Sequence, residues 1–221
     1  MNKANFRMAV VLSGCGVKDG SEIHEAVLSL LAVVRAGGAY QCFAPDIVQP
    51  GVVNHLSGEA MKETRRVLVE AARIARGKIK PLSEFRESEF DGLLLPGGYG
   101  ASMNLCSFGT DGPGCSVNPD VEKAVKAMHR AGKPVGALCI APVILAKVLN
   151  GVQLTVGRAP DVDAALVKMG AVPKPADCSQ VVVDERNKVV TAPCYMFDAD
   201  IGQVADGARN AVDAMVRLMN P

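Results

Sequence analysis

Pro134-Val135-Gly136-Ala137-Leu138-Cys139-Ile140-Ala141-Pro142 reads as a buried strand that stops on a thiol and turns at once into a helix. Small residues stand two before the cysteine (Ala137) and two after it (Ala141). That is the spacing of a nucleophile elbow, a turn too sharp to accept bulk on either side of its exposed reactive atom. Pro142 falls in the first helical turn, where a missing N–H costs nothing. A thiol at the start of that helix, Pro142 to Leu149, is expected to feel the positive dipole end and ionise more readily than a free cysteine. The competing reading is a buried cysteine at the end of a core strand, since cysteine is among the most buried residue types.

Outward from the elbow, strand and helix signals alternate. Met8 to Leu12 reads as a buried strand, closed by the glycine turn Ser13-Gly14-Cys15-Gly16. Ser21 is suited to cap a helix running through Ala36, with Gly37-Gly38 as its stop. Tyr40 to Ala44 is a second strand. Glu59 to Arg76 has helical periodicity and ends at Gly77. Gly92 to Leu95 is a third strand, closed by Pro96-Gly97-Gly98. Val121 to Ala131 is helical, Val135 to Leu138 precedes the elbow, and Ala199 to Met219 forms a terminal helix. Gln180–Asp184 and Lys188–Ala192 form a hairpin pattern around Arg186-Asn187. The alternation predicts one α/β domain over residues 1–221, with a mainly parallel sheet covered on both faces. In such sheets ligands sit beyond the carboxyl ends of the strands. The exits at Ser13–Gly16, Gly97–Gly98 and Cys139 are therefore expected to converge on one crevice. The stretch from Gly100 to Pro119 is rich in Gly, Ser and Asn and reads as a lid or a packed insertion.

Composition narrows the function classes. A net charge of +1 supplies no field for nucleic acid or an acidic membrane. Arg65, Arg66, Arg73 and Arg76 interleave with Glu63 and Glu70, which reads as a solvated helix face. The 7 cysteines have no C-x-x-C pair, so neither a zinc ribbon nor a thioredoxin motif is present. Reduced thiols and the absence of a long apolar run (only Met8–Leu12 follows Lys3 and Arg7) place the expected location in the cytoplasm, with no membrane association.

Several residues are candidates for the site. Gly98 N–H, free of side-chain bulk, and Ile140 N–H, directly after the nucleophile, are the expected oxyanion donors. Glu22 and Glu25 lie in the first turns of the first helix, facing the same crevice; acidic residues there are also common for dipole reasons alone. A carboxyl buried beside a thiol is expected to have a raised pKa and to stay protonated. His24 is expected to point elsewhere, His129 to lie on the surface, and His55, in a loop, to be within reach of the crevice. All three precede Cys139, so none occupies the place of a triad histidine on a later strand. No His/Cys/Asp cluster has metal spacing, and Gly14-x-Gly16 lacks the third glycine of a dinucleotide fingerprint because Asp19 stands there.

The elbow, Pro96-Gly97-Gly98-Tyr99-Gly100 and a first helix ending in Arg35-Ala36-Gly37 together resemble the ThiJ/PfpI superfamily, related to class I glutamine amidotransferases. The chain is most similar there to the ElbB-type, or ES1, members. That similarity is carried by Leu12-Ser13-Gly14-Cys15-Gly16-Val17, Asp19 through Ala26, Cys42 through Asp46, Asn54-His55-Leu56, Gly58 through Met61 and Cys139-Ile140-Ala141-Pro142. The resemblance implies a flavodoxin-like three-layer sandwich, usually a homodimer, with the elbow cysteine beside a protonated glutamate from the first helix. Counting back from Ala36-Gly37, that glutamate is Glu25, with Glu22 one turn earlier. ElbB-type proteins are described as cofactor-free glyoxalases and are linked by name to isoprenoid biosynthesis. Many superfamily members carry histidine after the cysteine or further downstream; Ile140 and Arg158-Ala159 stand there in this chain, which argues against peptidase or glutaminase chemistry.

The expected function is a cofactor-independent glyoxalase acting on glyoxal or a similar small 2-oxoaldehyde. Cys139 is its nucleophile, Glu25 its acid/base, Gly98 and Ile140 its oxyanion donors, and Glu22 and His55 are possible pocket residues. Two alternatives stand beside it: a redox-sensing or protein-binding module built on an oxidisable Cys139, and a glutaminase-like subunit.

Overall fold

The structure, a computed structural model, describes residues 5–219, so Lys3 lies outside it. In chain order the first half runs β1 (Arg7–Val11), α1 (Ile23–Arg35), β2 (Ala39–Ala44), α2 (Val67–Ile74), β3 (Ile79–Pro81), β4 (Gly92–Leu95), α3 (Tyr99–Met103) and α4 (Phe108–Asp111). The second half runs α5 (Pro119–Arg130), β5 (Val135–Leu138), α6 (Pro142–Val148), β6 (Gln153–Leu154), α7 (Pro160–Lys168), β7 (Val172–Pro173), β8 (Val182–Asp184), β9 (Val189–Ala192) and α8 (Ile201–Met219).

Seven strands form one sheet in the order β3-β2-β1-β4-β5-β9-β8. Every pairing is parallel except β8 with β9, the hairpin that the turn at Arg186-Asn187 requires. Alternate residues of each strand enter two separate cores. Ala9, Val11, Leu93, Leu95, Val135 and Ala137 pack with α5 and α6 through Val125, Met128 and Ile144. Met8, Val10, Leu94 and Val190 pack with α1 and α8 through Ala26, Val33, Ala208 and Val212. Each large aliphatic side chain buried this way contributes about 1.5–3 kcal/mol. This is the mainly parallel sheet covered on both faces that the alternation predicts, in the flavodoxin-like three-layer form that the resemblance implies.

The chain winds from β1 to β2 and β3 on one side, then jumps back to β4, β5 and β9 on the other. The carboxyl ends of β1 and β4 therefore flank the reversal of strand order, where an open parallel sheet leaves its crevice.

The region 59–66 departs from the helix expected there. Its backbone pairs across to 48–53 through bridges Val53↔Ala60 and Val48↔Arg66, with Met61 N–H donating to Val52 O and Gln49 N–H to Arg65 O, both at 2.8 Å. Tertiary pairing overrides the periodicity, and the helix starts only at Val67. The arginines are not a merely solvated face either. Arg65 and Arg73 both reach the buried Glu70, at 3.6 and 2.9 Å, and Arg66 reaches Asp46 at 2.8 Å. Between residues 100 and 119 the chain is a packed insertion: it carries α4, a Cys106↔Val117 bridge and the buried Leu105, Cys106 and Cys115.

Candidate functional site

The three strand exits meet, and backbone hydrogen bonds lock the first two, after β1 and β4, together. Glu22 N–H donates to Gly97 O at 2.9 Å, Tyr99 N–H to Val17 O at 2.8 Å and Gly100 N–H to Gly20 O at 2.9 Å. Asn104, from the insertion, donates its amide to Ser13 O at 2.7 Å and to Asp19 O at 2.9 Å. Gly14 and Gly16 take φ of +111° and +124°, so their glycines serve the tight turn. Ser21 does not cap α1: Ser13 N–H donates to its Oγ at 2.8 Å, and Glu22 is the N-cap, its Oε2 accepting from Glu25 N–H at 2.7 Å.

Cys139 has φ of +56°, a left-handed conformation that a non-glycine residue adopts at a cost of about 1–3 kcal/mol. The turn is held by Cys139 N–H donating to Ala192 O at 2.9 Å and Ala141 N–H to Leu138 O at 2.9 Å. This is the strained elbow geometry, and it distinguishes Cys139 from a cysteine in an ordinary strand. The backbone N–H groups of Gly98 and Ile140 both face its sulfur.

Glu25 is fully buried and contacts the Cys139 thiol through its carboxyl. Oε2 accepts from Gly97 N–H at 2.9 Å and Oε1 from Tyr195 N–H at 3.1 Å. Burial is the main force raising its pKa, to about 7, with repulsion from Glu22 adding to it and the two backbone donors opposing. Glycine at 97 is obligatory here, because a Cβ would collide with Cys139 Cβ and lie 2.6 Å from Glu25 Oε2.

The expected ionised thiol is not found. Burial first, then the neighbouring Glu25 carboxyl, push the Cys139 thiol well above its ordinary value, and the Gly98 and Ile140 N–H groups only partly offset this. Only 8% of Cys139 is exposed, so loss of solvation outweighs the field of a seven-residue helix.

Above the sulfur lies a cavity of about 250 Å³. Its walls are mostly apolar, from Val17, Tyr99, Ile140, Val162 and Met196; its polar groups are Glu22, Tyr195 and the Cys139–Gly98 floor. Glu22 thus lines the cavity, as expected for one of the two acids, while Glu25 lies beneath it.

His55 does not reach the cavity. It is exposed and braces the loop after β1: Nε2 accepts from Lys18 N–H at 3.1 Å, so Nδ1 carries the hydrogen donated to Val53 O at 3.1 Å. The loop fold places the ring over Gly16, where a Cβ would lie 2.5 Å from Nε2. His24, expected to point away, has its Nδ1 2.8 Å from the hydroxyl of the cavity residue Tyr195. Tyr195 escaped the sequence reading, although it follows directly on the exit of β9, the strand beside the elbow strand. His129 sits in the last turn of α5. Among the described residues no group of three or more His, Cys, Asp or Glu side chains is placed to hold a metal, and no helix is long and apolar enough to cross a membrane.

With this geometry in view, comparison with known proteins defines the class. A profile of the DJ-1/PfpI family matches residues 17–196, and the chain belongs to that family. It is 44% identical over 221 residues to glutamine amidotransferase-like class 1 domain-containing protein 3, mitochondrial, of Homo sapiens, covering 96% of this chain and 81% of that protein. It is 33% identical to the ES1 protein, mitochondrial, of Danio rerio, covering 98% of this chain and 87% of that one. Among solved structures, an isoprenoid biosynthesis protein with amidotransferase-like domain from Ehrlichia chaffeensis superposes with a TM-score of 0.89 at 36% identity, covering 96% of this chain and 99% of that one.

Proposed function

We propose that the protein is a cofactor-independent glyoxalase that converts glyoxal or a similar small 2-oxoaldehyde to the 2-hydroxy acid. The observation that carries this reading is the buried Glu25–Cys139 pair beneath a largely apolar cavity. The sulfur attacks the aldehyde carbon as its proton passes to the Glu25 carboxylate. The carbonyl electrons move onto oxygen, stabilised by Gly98 and Ile140 N–H, and Glu25 returns the proton to give a hemithioacetal. Glu25 then removes the hydrogen from the attacked carbon, forming an enediol, and delivers it to the neighbouring carbon, leaving a thioester. Water releases the acid and restores the thiol. A carboxyl titrating near 7 suits a group that must both take and give a proton at neutral pH.

A second reading, oxidation of Cys139 as a redox sensor, draws on the same two N–H donors, which would also stabilise a sulfinate. Glutamine hydrolysis is disfavoured because Glu22, the ionisable carboxyl in the lining, opposes a substrate α-carboxylate. The isoprenoid label of the Ehrlichia protein enters no step of this chemistry. A homodimer is the proposed assembly, supported by the exposed apolar stripe Ile23, Val27, Leu31 and Val34 along α1. The proposed location is the cytoplasm, in keeping with seven unpaired thiols, although the named relatives are mitochondrial.

The test is product yield with a carbonyl panel on wild type and Cys139→Ser. Glycolate or lactate far in excess of enzyme, without added glutathione, metal or nicotinamide and lost in the variant, is expected. A mole-for-mole stop with Cys139 modified would replace the enzyme with the sensor.

A further inference from the structure

One residue of the cavity lining, Tyr195, is paired through its hydroxyl with His24, which lies outside the lining. Tyr195 lines the cavity, its backbone N–H fixes Glu25 Oε1 at 3.1 Å, and its hydroxyl lies 2.8 Å from Nδ1 of the exposed His24. The rings sit 5.9 Å apart and are tilted by 44°. The link joins residues 171 apart in sequence, and His24 directly precedes Glu25 on α1. A path thus runs from solvent, through an imidazole and a phenol, to the cavity.

We propose that His24 and Tyr195 form a proton relay to the substrate oxygen that Cys139 does not generate: Tyr195 is a catalytic residue and His24 a positioning residue acting through it. The inference rests on the glyoxalase reading, because it serves that reaction's one unassigned proton. When Glu25 removes the hydrogen of the attacked carbon, the electron pair moves into the new C=C bond and the adjacent carbonyl electrons onto its oxygen, which needs a proton. His24 donates Nδ1–H to the phenolic oxygen while its exposed ring takes a proton from solvent on the other nitrogen, leaving the tyrosine hydrogen free for that substrate oxygen. The Tyr195 proton goes to substrate, and His24 replaces it. When Glu25 passes its proton to the second carbon, the first hydroxyl sheds its own as the thioester carbonyl forms. That proton returns through Tyr195 to His24, so the pair is unchanged over a cycle. Glu25 alone cannot perform this exchange, because its carboxyl is occupied with the carbon-bound hydrogen.

The test compares wild type, Tyr195→Phe and His24→Ala with glyoxal and methylglyoxal, scoring kcat, KM and Cys139 adduct formation separately. Tyr195→Phe is expected to lower kcat about 10²-fold, the lower end of general acid–base contributions, with KM little changed and the Cys139 adduct still forming. His24→Ala is expected to lose less, about tenfold, because the hydroxyl remains. Free imidazole should restore that loss in the chain without a dimer partner on α1, where His24 is exposed, whereas a purely structural role would not be rescued. Active wild type with both variants unimpaired, or with His24→Ala impaired and not rescued by imidazole, overturns the relay alone. Wild type inactive toward both aldehydes overturns the glyoxalase reading, and the relay with it.

Discussion

Glu25 Oε2 accepts a hydrogen bond from Gly97 N–H at 2.9 Å, and that bond ties the first turn of α1 to the exit of β4 directly beneath Cys139. It separates the roles of the two acids. Glu22 is spent on capping α1 and lining the cavity mouth, whereas Glu25 is held against the thiol.

Stability should fall as pH rises past the ordinary carboxylate range. The folded-state pKa of Glu25, about 7, lies above its ordinary value of 4.5. Between those two values the native state keeps a proton that the unfolded chain has lost. Its contribution is full below pH 4.5, declines through the interval and is lost above 7, about 3 kcal/mol in all. Glu25→Gln removes this dependence. Its amide presents an NH₂ to one of two backbone donors, so it should be about 1–3 kcal/mol less stable than wild type at pH 5. The gap should narrow toward pH 8. Urea melts at both values decide it; a constant gap would mean that Glu25 titrates alike in both states.

Glu25→Gln should move thiol reactivity and turnover in opposite directions. Removing the carboxyl removes a group that raises the thiol pKa, so alkylation of Cys139 by iodoacetamide at pH 8.5 should accelerate. Turnover should nevertheless fall by about 10²–10⁴-fold, because an amide carries no proton. Mass-spectrometric alkylation rates beside steady-state kinetics check this. Parallel losses would indicate that Glu25 activates the thiol at rest.

Rate should rise with pH through about 7, since the reaction begins with Glu25 as base. Glu22→Gln removes a neighbouring charge that raises the Glu25 pKa, so this rise should shift to lower pH. The same change weakens the cap of α1 and should cost about 1 kcal/mol of stability. A pH–rate profile unmoved by the substitution would show that the two carboxyls are not coupled.

Gly97→Ala should abolish turnover and destabilise the fold by about 1–3 kcal/mol, because the new methyl meets Cys139 Cβ and Glu25 Oε2. Thermal melting and the carbonyl assay together test this. A variant with wild-type melting and activity would mean that the floor can rearrange.

Charging the apolar stripe of α1 should dissociate the proposed homodimer. Val27→Lys with Leu31→Lys places two cations on exposed positions, 46% and 39% accessible, so the monomer fold should survive. Sedimentation of wild type and variant at equal concentration reads the outcome. A wild-type monomer would refute the assembly.

The sequence alone determined the strand–helix alternation, the parallel sheet and the elbow, because these are local matters of period, small residues and glycine punctuation. Val135 to Leu138 and the hairpin ahead of Ala192 were legible for that reason. Three-residue β3 and two-residue β6 and β7 were not, being too short to show a period. The helix read over Glu59–Arg76 failed in its first half because pairing with residues 48–53, invisible in a local window, claimed that backbone.

At the site, the residue types at positions 98, 139 and 140 and the two acids at 22 and 25 were legible, the resemblance alone favouring Glu25, and their surroundings were not. Burial, not the dipole of α6, sets the Cys139 thiol, and burial is a property of the assembled layers. His24 meets Tyr195 across 171 residues, while His55 is taken up by the Lys18 loop. Local pattern could propose a nucleophile and an acid. Only tertiary packing, which brings distant strand exits into one desolvated crevice, decided which groups face it and which of them hold their protons.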